Sequence, residues 1–123
     1  MLLVRNLLPL LLLFIALGAG AATNLTERAY AAMMKVEVRA DQQERFEKIM
    51  NDYYDRSTAM YRREVHSSPG EVDERVPRLL RTIAKDTVSK MQKVLDPKQM
   101  EAFQYAIDLE NRRFLQNYGV KEP

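Results

Sequence analysis

Val38, Gln42, Glu44 and Phe46 recur fifty-seven positions further on as Leu95, Gln99, Glu101 and Phe103. Both stretches, residues 38–50 and 95–107, read alike: an apolar residue, a short polar stretch, a glutamine, then a helix opening on its buried side. A duplicated helix start implies paired helices, and pairing constrains architecture. Apart from residues 36–38, no run alternates apolar and polar residues long enough for a sheet, whereas helical spacing recurs throughout. The fold class expected is therefore all-α: four helical segments in antiparallel hairpins, with long amphipathic helices.

The first helix is expected to follow Asn24, whose spacing to Glu27 suits a capping box, and to end near Arg39 with Leu25, Ala29, Met33 and Val36 on one side. Asp41 and Glu44 suggest a second capping box, followed by Phe46, Ile49, Met50, Tyr53, Met60 and Tyr61 out to about Val65. The opposite face pairs Glu44 with Lys48 and Asp52 with Arg56, acid ahead of base as a solvated helix favours. Ser68, Pro69 and Glu71 form a third start signal. Val72, Val76, Leu80, Ile83, Thr87, Met91 and Val94 then make one stripe, with a kink expected at Pro77; the alternative is a short first turn before a main helix starting near Val76. The fourth helix has Asp96 as cap, Pro97 first and Gln99 third, with Phe103, Ile107, Phe114 and Tyr118 inward. Gly119 suits the left-handed residue that closes it, and residues 120–123 are expected to fray.

Residues 1–21 read as a signal peptide: Arg5 is a positive start, residues 7–17 are an apolar run broken only by Pro9, and small residues stand at 19 and 21. Cleavage before Ala22 is expected, because the apolar run is shorter than the roughly 20 residues a spanning helix needs. An uncleaved inner-membrane anchor is the alternative, since no charge lies between Arg5 and Glu27. A lipid anchor would need a cysteine, and the chain has none.

Residues 22–123 are then a single small domain able to bury one modest core. Without Arg5 the chain carries 18 basic and 17 acidic side chains, so its charge calls for neither nucleic acid nor an anionic membrane as partner. The lack of cysteine removes thiol catalysis, thiolate metal sites and disulfides. Such a domain relies on packing and on oligomerisation, with an elongated homodimer expected to cover part of its aromatic face.

With these residues in place the chain resembles the Spy and CpxP family of bacterial envelope-stress proteins, whose hallmark is a Leu-Thr-x-x-Gln motif occurring twice. The second copy is Leu95-Asp96-Pro97-Lys98-Gln99, where aspartate keeps the capping oxygen of the threonine it replaces. The first is Val38-Arg39-Ala40-Asp41-Gln42, where arginine cannot cap and Asp41 is expected to take over. The resemblance implies a small helical periplasmic protein, often a cradle-shaped homodimer, that holds unfolded envelope proteins without ATP or modulates a membrane stress sensor. Some relatives sense metals. In such proteins the motif is a helix-start device, so Val38, Asp41, Gln42, Leu95, Asp96 and Gln99 are structural candidates.

A surface that holds varied unfolded chains needs adaptable apolar contacts among charges, which Met and Tyr beside Arg supply. The candidate client surface is Met34, Tyr54, Arg56, Tyr61, Arg62 and Arg63, with Met50 and Tyr53 read as core. Arg75, Arg78, Arg81 and Lys85 recur along the third helix and are candidates for docking an acidic membrane-sensor domain, unless they simply form a solvated face with Glu71 and Glu74. His66 is the only imidazole, which is thin material for a metal site. No nucleophile elbow or phosphate-binding glycine loop is present, so neither enzyme activity nor a cofactor is expected.

Overall fold

The structure is a computed structural model that describes residues 23–121. The expected signal peptide lies outside that span. Four helices follow in order: α1 (Thr23–Met34), α2 (Gln43–Ser67), α3 (Val72–Met91) and α4 (Pro97–Asn117), with no strand among the described residues. None of these helices is long and apolar enough to cross a membrane.

The chain order of the contacts fixes the directions. Between α2 and α4, Gln42 meets Gln99, Phe46 meets Phe103, Tyr53 meets Asn111, Tyr54 meets Glu110 and Tyr61 meets Tyr118. From the first of these pairs to the last both numbers rise, so the two helices run parallel. Against α3 the order reverses: Asp52 pairs with Lys90, Arg56 with Asp86 and Glu64 with Arg75, which makes α2 and α3 antiparallel. α1 packs on α4 rather than on α2, the helix that follows it, while α3 touches both α2 and α4. Thus α1 sits on α4 much as α3 sits on α2, as a duplicated pair of helices would arrange it.

Side-chain size sets these spacings. Ala29 and Ala32 are buried on α1, and their small volume lets α1 lie close to α4. Between α2 and α4 the backbones stay further apart, spanned by Phe46, Tyr53 and Phe103, each fully buried. Phe46 and Phe103 meet edge to face with centroids 6.0 Å apart. Burying each such ring contributes roughly 2–3 kcal/mol.

Several helix ends differ from expectation. α1 stops at Met34, not near Arg39: Lys35 and Val36 turn, and Glu37 takes a left-handed backbone with φ 56. Asn24 lies inside α1, so it does not cap it. α3 starts at Val72 after Glu71 adopts φ 64, and neither Ser68 nor Glu71 caps it through a side chain. Pro77 stands in its second turn within one helix, where the forfeited hydrogen bond is the one to the Asp73 carbonyl. The chain end does not fray at once. Gly119 (φ 68) closes α4, the Val120 N–H bonds the Leu115 carbonyl at 2.9 Å, and the Gly119 N–H bonds the Gln116 carbonyl at 3.1 Å. Val120 is buried, and the Lys121 N–H donates to Asp73 at 3.0 Å.

Candidate functional site

The two motif glutamines meet in the interior. Gln42 Nε2 donates to Gln99 Oε1 at 3.0 Å, and Gln99 Nε2 donates to Gln42 Oε1 at 2.9 Å. Each oxygen also accepts a backbone N–H three residues upstream, from Arg39 at 2.9 Å and from Asp96 at 3.0 Å. Each amide nitrogen also donates across to the turn before the other helix, Gln42 to the Val94 carbonyl at 2.9 Å and Gln99 to the Glu37 carbonyl at 3.1 Å. Arg39, Gln42 and Glu37 thus match Asp96, Gln99 and Val94 atom for atom.

The carboxamide is the side chain this geometry requires. A peptide N–H only donates and a carbonyl only accepts, so each glutamine must present an oxygen one way and an NH₂ the other. Both are buried, and all four hydrogen-bonding positions of each are filled. A glutamate would lack the donor. Nothing in this clasp carries a titratable proton, so its role is to fix two helix starts and two turns at one point.

Asp96 behaves as its sequence suggests. Its Oδ1 accepts the Gln99 N–H at 2.8 Å and Gln99 returns the bond, completing the capping box. Asp41 does not take the equivalent role. It is exposed and paired with Arg39 at 3.4 Å, and Gln42 stands at the cap in helical backbone with no side-chain cap bond. Arg39 and Asp96, which hold equivalent places in the two echoing stretches, pair with each other at 3.5 Å. Leu95 is buried and Val38 half-buried beside the clasp.

A second polar cluster lies further along α2 and α4. Arg113 donates Nε to Glu110 Oε1 at 2.8 Å, and the Tyr54 hydroxyl donates to the same oxygen at 3.0 Å. The Tyr53 hydroxyl donates to Asn111 Oδ1. Glu110 and Arg113 are both buried. Burial raises the Tyr53 and Tyr54 pKa values well above the ordinary phenol range, with Glu110 pushing the same way. Burial would lower Arg113, but the hydrogen bond and charge of Glu110 outweigh it and hold the guanidinium above its usual value. Sequence reasoning missed this cluster, because Glu110 and Arg113 three residues apart look like a solvated surface pair.

The candidate client residues separate. Tyr54 is turned onto Glu110 and is not part of an open surface. Met34, 43% exposed, ends α1 near the turn that meets Gln99, whereas Tyr61 lies about 27 Å along α2 from its start at 1.5 Å per residue. These two do not share a patch. Arg56 and Arg63 do: with Ala59, Met60, Leu79, Thr82 and Ile83 they line a groove of about 300 Å³ between α2 and α3. Arg56 is tied there to Asp86 and Asp52, and Arg63 to Glu64 at 3.6 Å. Arg62 is exposed nearby, and Arg62, Arg78, Arg81 and Lys85 form no ion pair among the described residues. Arg75, by contrast, is bound to Glu64 at 2.8 Å and to the Gly70 carbonyl at 2.6 Å.

Between α2 and the end of α4, Tyr61 packs on Phe114 and Tyr118, with centroids 6.5 and 4.2 Å away. Tyr118 was expected inward and is 39% exposed, because α4 ends at Asn117 and leaves it on the rim. His66 is exposed on the last turn of α2, and no group of three or more metal-ligating side chains occurs among the described residues. No family model, curated protein or solved structure matches the chain.

Proposed function

We propose that this protein is an exported, ATP-independent, chaperone-like binder of unfolded or partly folded envelope proteins, acting in the periplasm as a homodimer and performing no chemistry on its clients. The observation that carries this reading is the α2–α3 groove. Its floor is aliphatic and thioether, its rim is Arg56 and Arg63, and Arg62 and Arg78, on the same two helices, form no ion pair among the described residues. Methionine adapts to varied apolar shapes, and arginine adds attraction for acidic or polar stretches without demanding one sequence. The paired Gln42 and Gln99 bring together the two motif copies on which the resemblance to Spy and CpxP rests. The purified chain is expected to slow aggregation of a chemically unfolded client at near-stoichiometric ratio. No effect at several-fold excess would contradict the proposal.

A second reading is regulation, in which the chain docks the periplasmic domain of one membrane stress sensor. Arg78, Arg81 and Lys85 favour it, being exposed on α3 and forming no ion pair among the described residues. Crosslinking followed by recovery separates the two: a regulator yields one dominant membrane protein, a chaperone a spread of clients.

A further inference from the structure

The chain contains six tyrosines but neither cysteine nor tryptophan, so phenols and thioethers are its oxidisable side chains. Four of the tyrosines are poorly placed for joining to another phenol. Tyr53 and Tyr54 also touch, with ring centroids 5.2 Å apart, but they meet edge to face and are held through their hydroxyls on Asn111 and Glu110 inside the α2–α4 interface. Tyr30 and Tyr105 have no ring contact with a second tyrosine among the described residues, although Tyr105 is 59% exposed.

Tyr61 and Tyr118 differ. Their centroids are 4.2 Å apart with the planes inclined at 38°, closer than the range of about 4.5–7 Å usual for aromatic pairs. Phe114 packs against both rings, at 6.5 Å from Tyr61 and 4.7 Å from Tyr118, and the Tyr61 hydroxyl points at the Tyr118 carbonyl at 3.5 Å. Tyr118 is exposed and Tyr61 half-exposed, so a surface oxidant reaches both. Two reactive groups held in contact react as one molecule rather than by chance encounter.

We propose that Tyr61 and Tyr118 form an oxidative modification site, at which a peroxide-driven one-electron oxidant joins the C-terminal ends of α2 and α4 through a dityrosine bond. Each phenol gives up one electron and its hydroxyl proton. The two phenoxyl radicals couple through a new carbon–carbon bond between ring positions ortho to the hydroxyls, and the two displaced ring hydrogens shift to the oxygens. The net loss is two electrons and two protons, which reduce one hydrogen peroxide to two waters at a haem peroxidase. The product is a covalent link between two helices that are otherwise held at this end by ring packing.

The test is to treat the folded full chain with horseradish-type haem peroxidase and hydrogen peroxide, isolate the monomer, and digest it with trypsin. The expected product is peptide 57–62 joined to peptide 114–121, two hydrogens lighter than their sum, together with dityrosine fluorescence in the monomer. Tyr61→Phe and Tyr118→Phe each keep a ring in the stack and should abolish both signals while preserving the helical circular-dichroism spectrum. Tyr105→Phe should leave both intact. Dityrosine confined to covalent dimers, a monomer without the joined peptides, or a monomer signal that survives Tyr61→Phe would overturn the proposal.

Discussion

At the residue scale, Asp96 and Asp41 show why a capping signature succeeds at one site and fails at another. Pro97 disfavours helical backbone at the residue before it, so Asp96 sits extended at φ −77, ψ 170, where its carboxylate reaches the Gln99 N–H. Nothing similar follows Asp41, and the chain turns helically through Gln42 instead. Asp96→Ala is therefore expected to lower stability by about 1 kcal/mol in urea titration and to leave the proposed client binding unchanged. Ser57 gives the opposite case. It is fully buried, and its Oγ has no hydrogen-bond partner among the described residues. Ser57→Ala removes that hydroxyl at little loss of volume, so the denaturation midpoint should hold or rise, by up to about 1 kcal/mol in stability. A clear loss would show that the hydroxyl has a partner.

At the element scale, helical spacing located all four helices, and their inward stripes were legible because apolar side chains recur at three and four residues. Phe46, Met50, Val76, Leu80, Phe103 and Ile107 are buried as their spacing implies. The ends were less legible. Where Asn24 or Ser68 offers a cap, the helix begins only if the backbone there is extended, and that depends on turns set by tertiary contacts. The buried Glu110 and Arg113 were illegible for a related reason: what makes them interior is Tyr53 and Tyr54, more than fifty residues away. The C-terminus of α4 provides a test of its own. Gly119 holds φ 68 with open space where a Cβ would stand, so the cost of Gly119→Ala is backbone strain alone, about 1 kcal/mol. A thermal melt checks this, and Tyr118 should become more mobile as the closing turn loosens.

At the scale of the whole molecule, the titrating groups define a pH window. Tyr53 and Tyr54 have pKa values raised in the folded state, so the unfolded chain loses these protons first and stability falls as pH rises past about 10. Glu64 is held below the ordinary carboxylate range chiefly by its hydrogen bond from Arg75, and Asp86 by those from Arg56 and Lys90. Their contribution is present above the unfolded carboxylate pKa and is lost as pH falls through the lowered values. Circular dichroism against pH should show a stable plateau between these limits. In an ultraviolet titration, part of the tyrosine absorbance change should appear only with unfolding on the alkaline side.

The sequence echo at fifty-seven residues turned out to be a contact as well as a repetition: its two glutamines bond each other, and around them the halves of the fold meet. That reciprocity was not visible in the chain, since either glutamine alone reads as a capping residue. If the clasp is one unit, removing either member already orphans the other, and removing the second costs less than removing the first. The decisive measurement is a double-mutant cycle of Gln42→Ala and Gln99→Ala by urea denaturation. Each substitution alone is expected to cost about 2 kcal/mol, and the double about 3 kcal/mol, a coupling of about 1 kcal/mol. Additive losses, within about 0.5 kcal/mol, would contradict the claim that the two motif copies act as a single clasp.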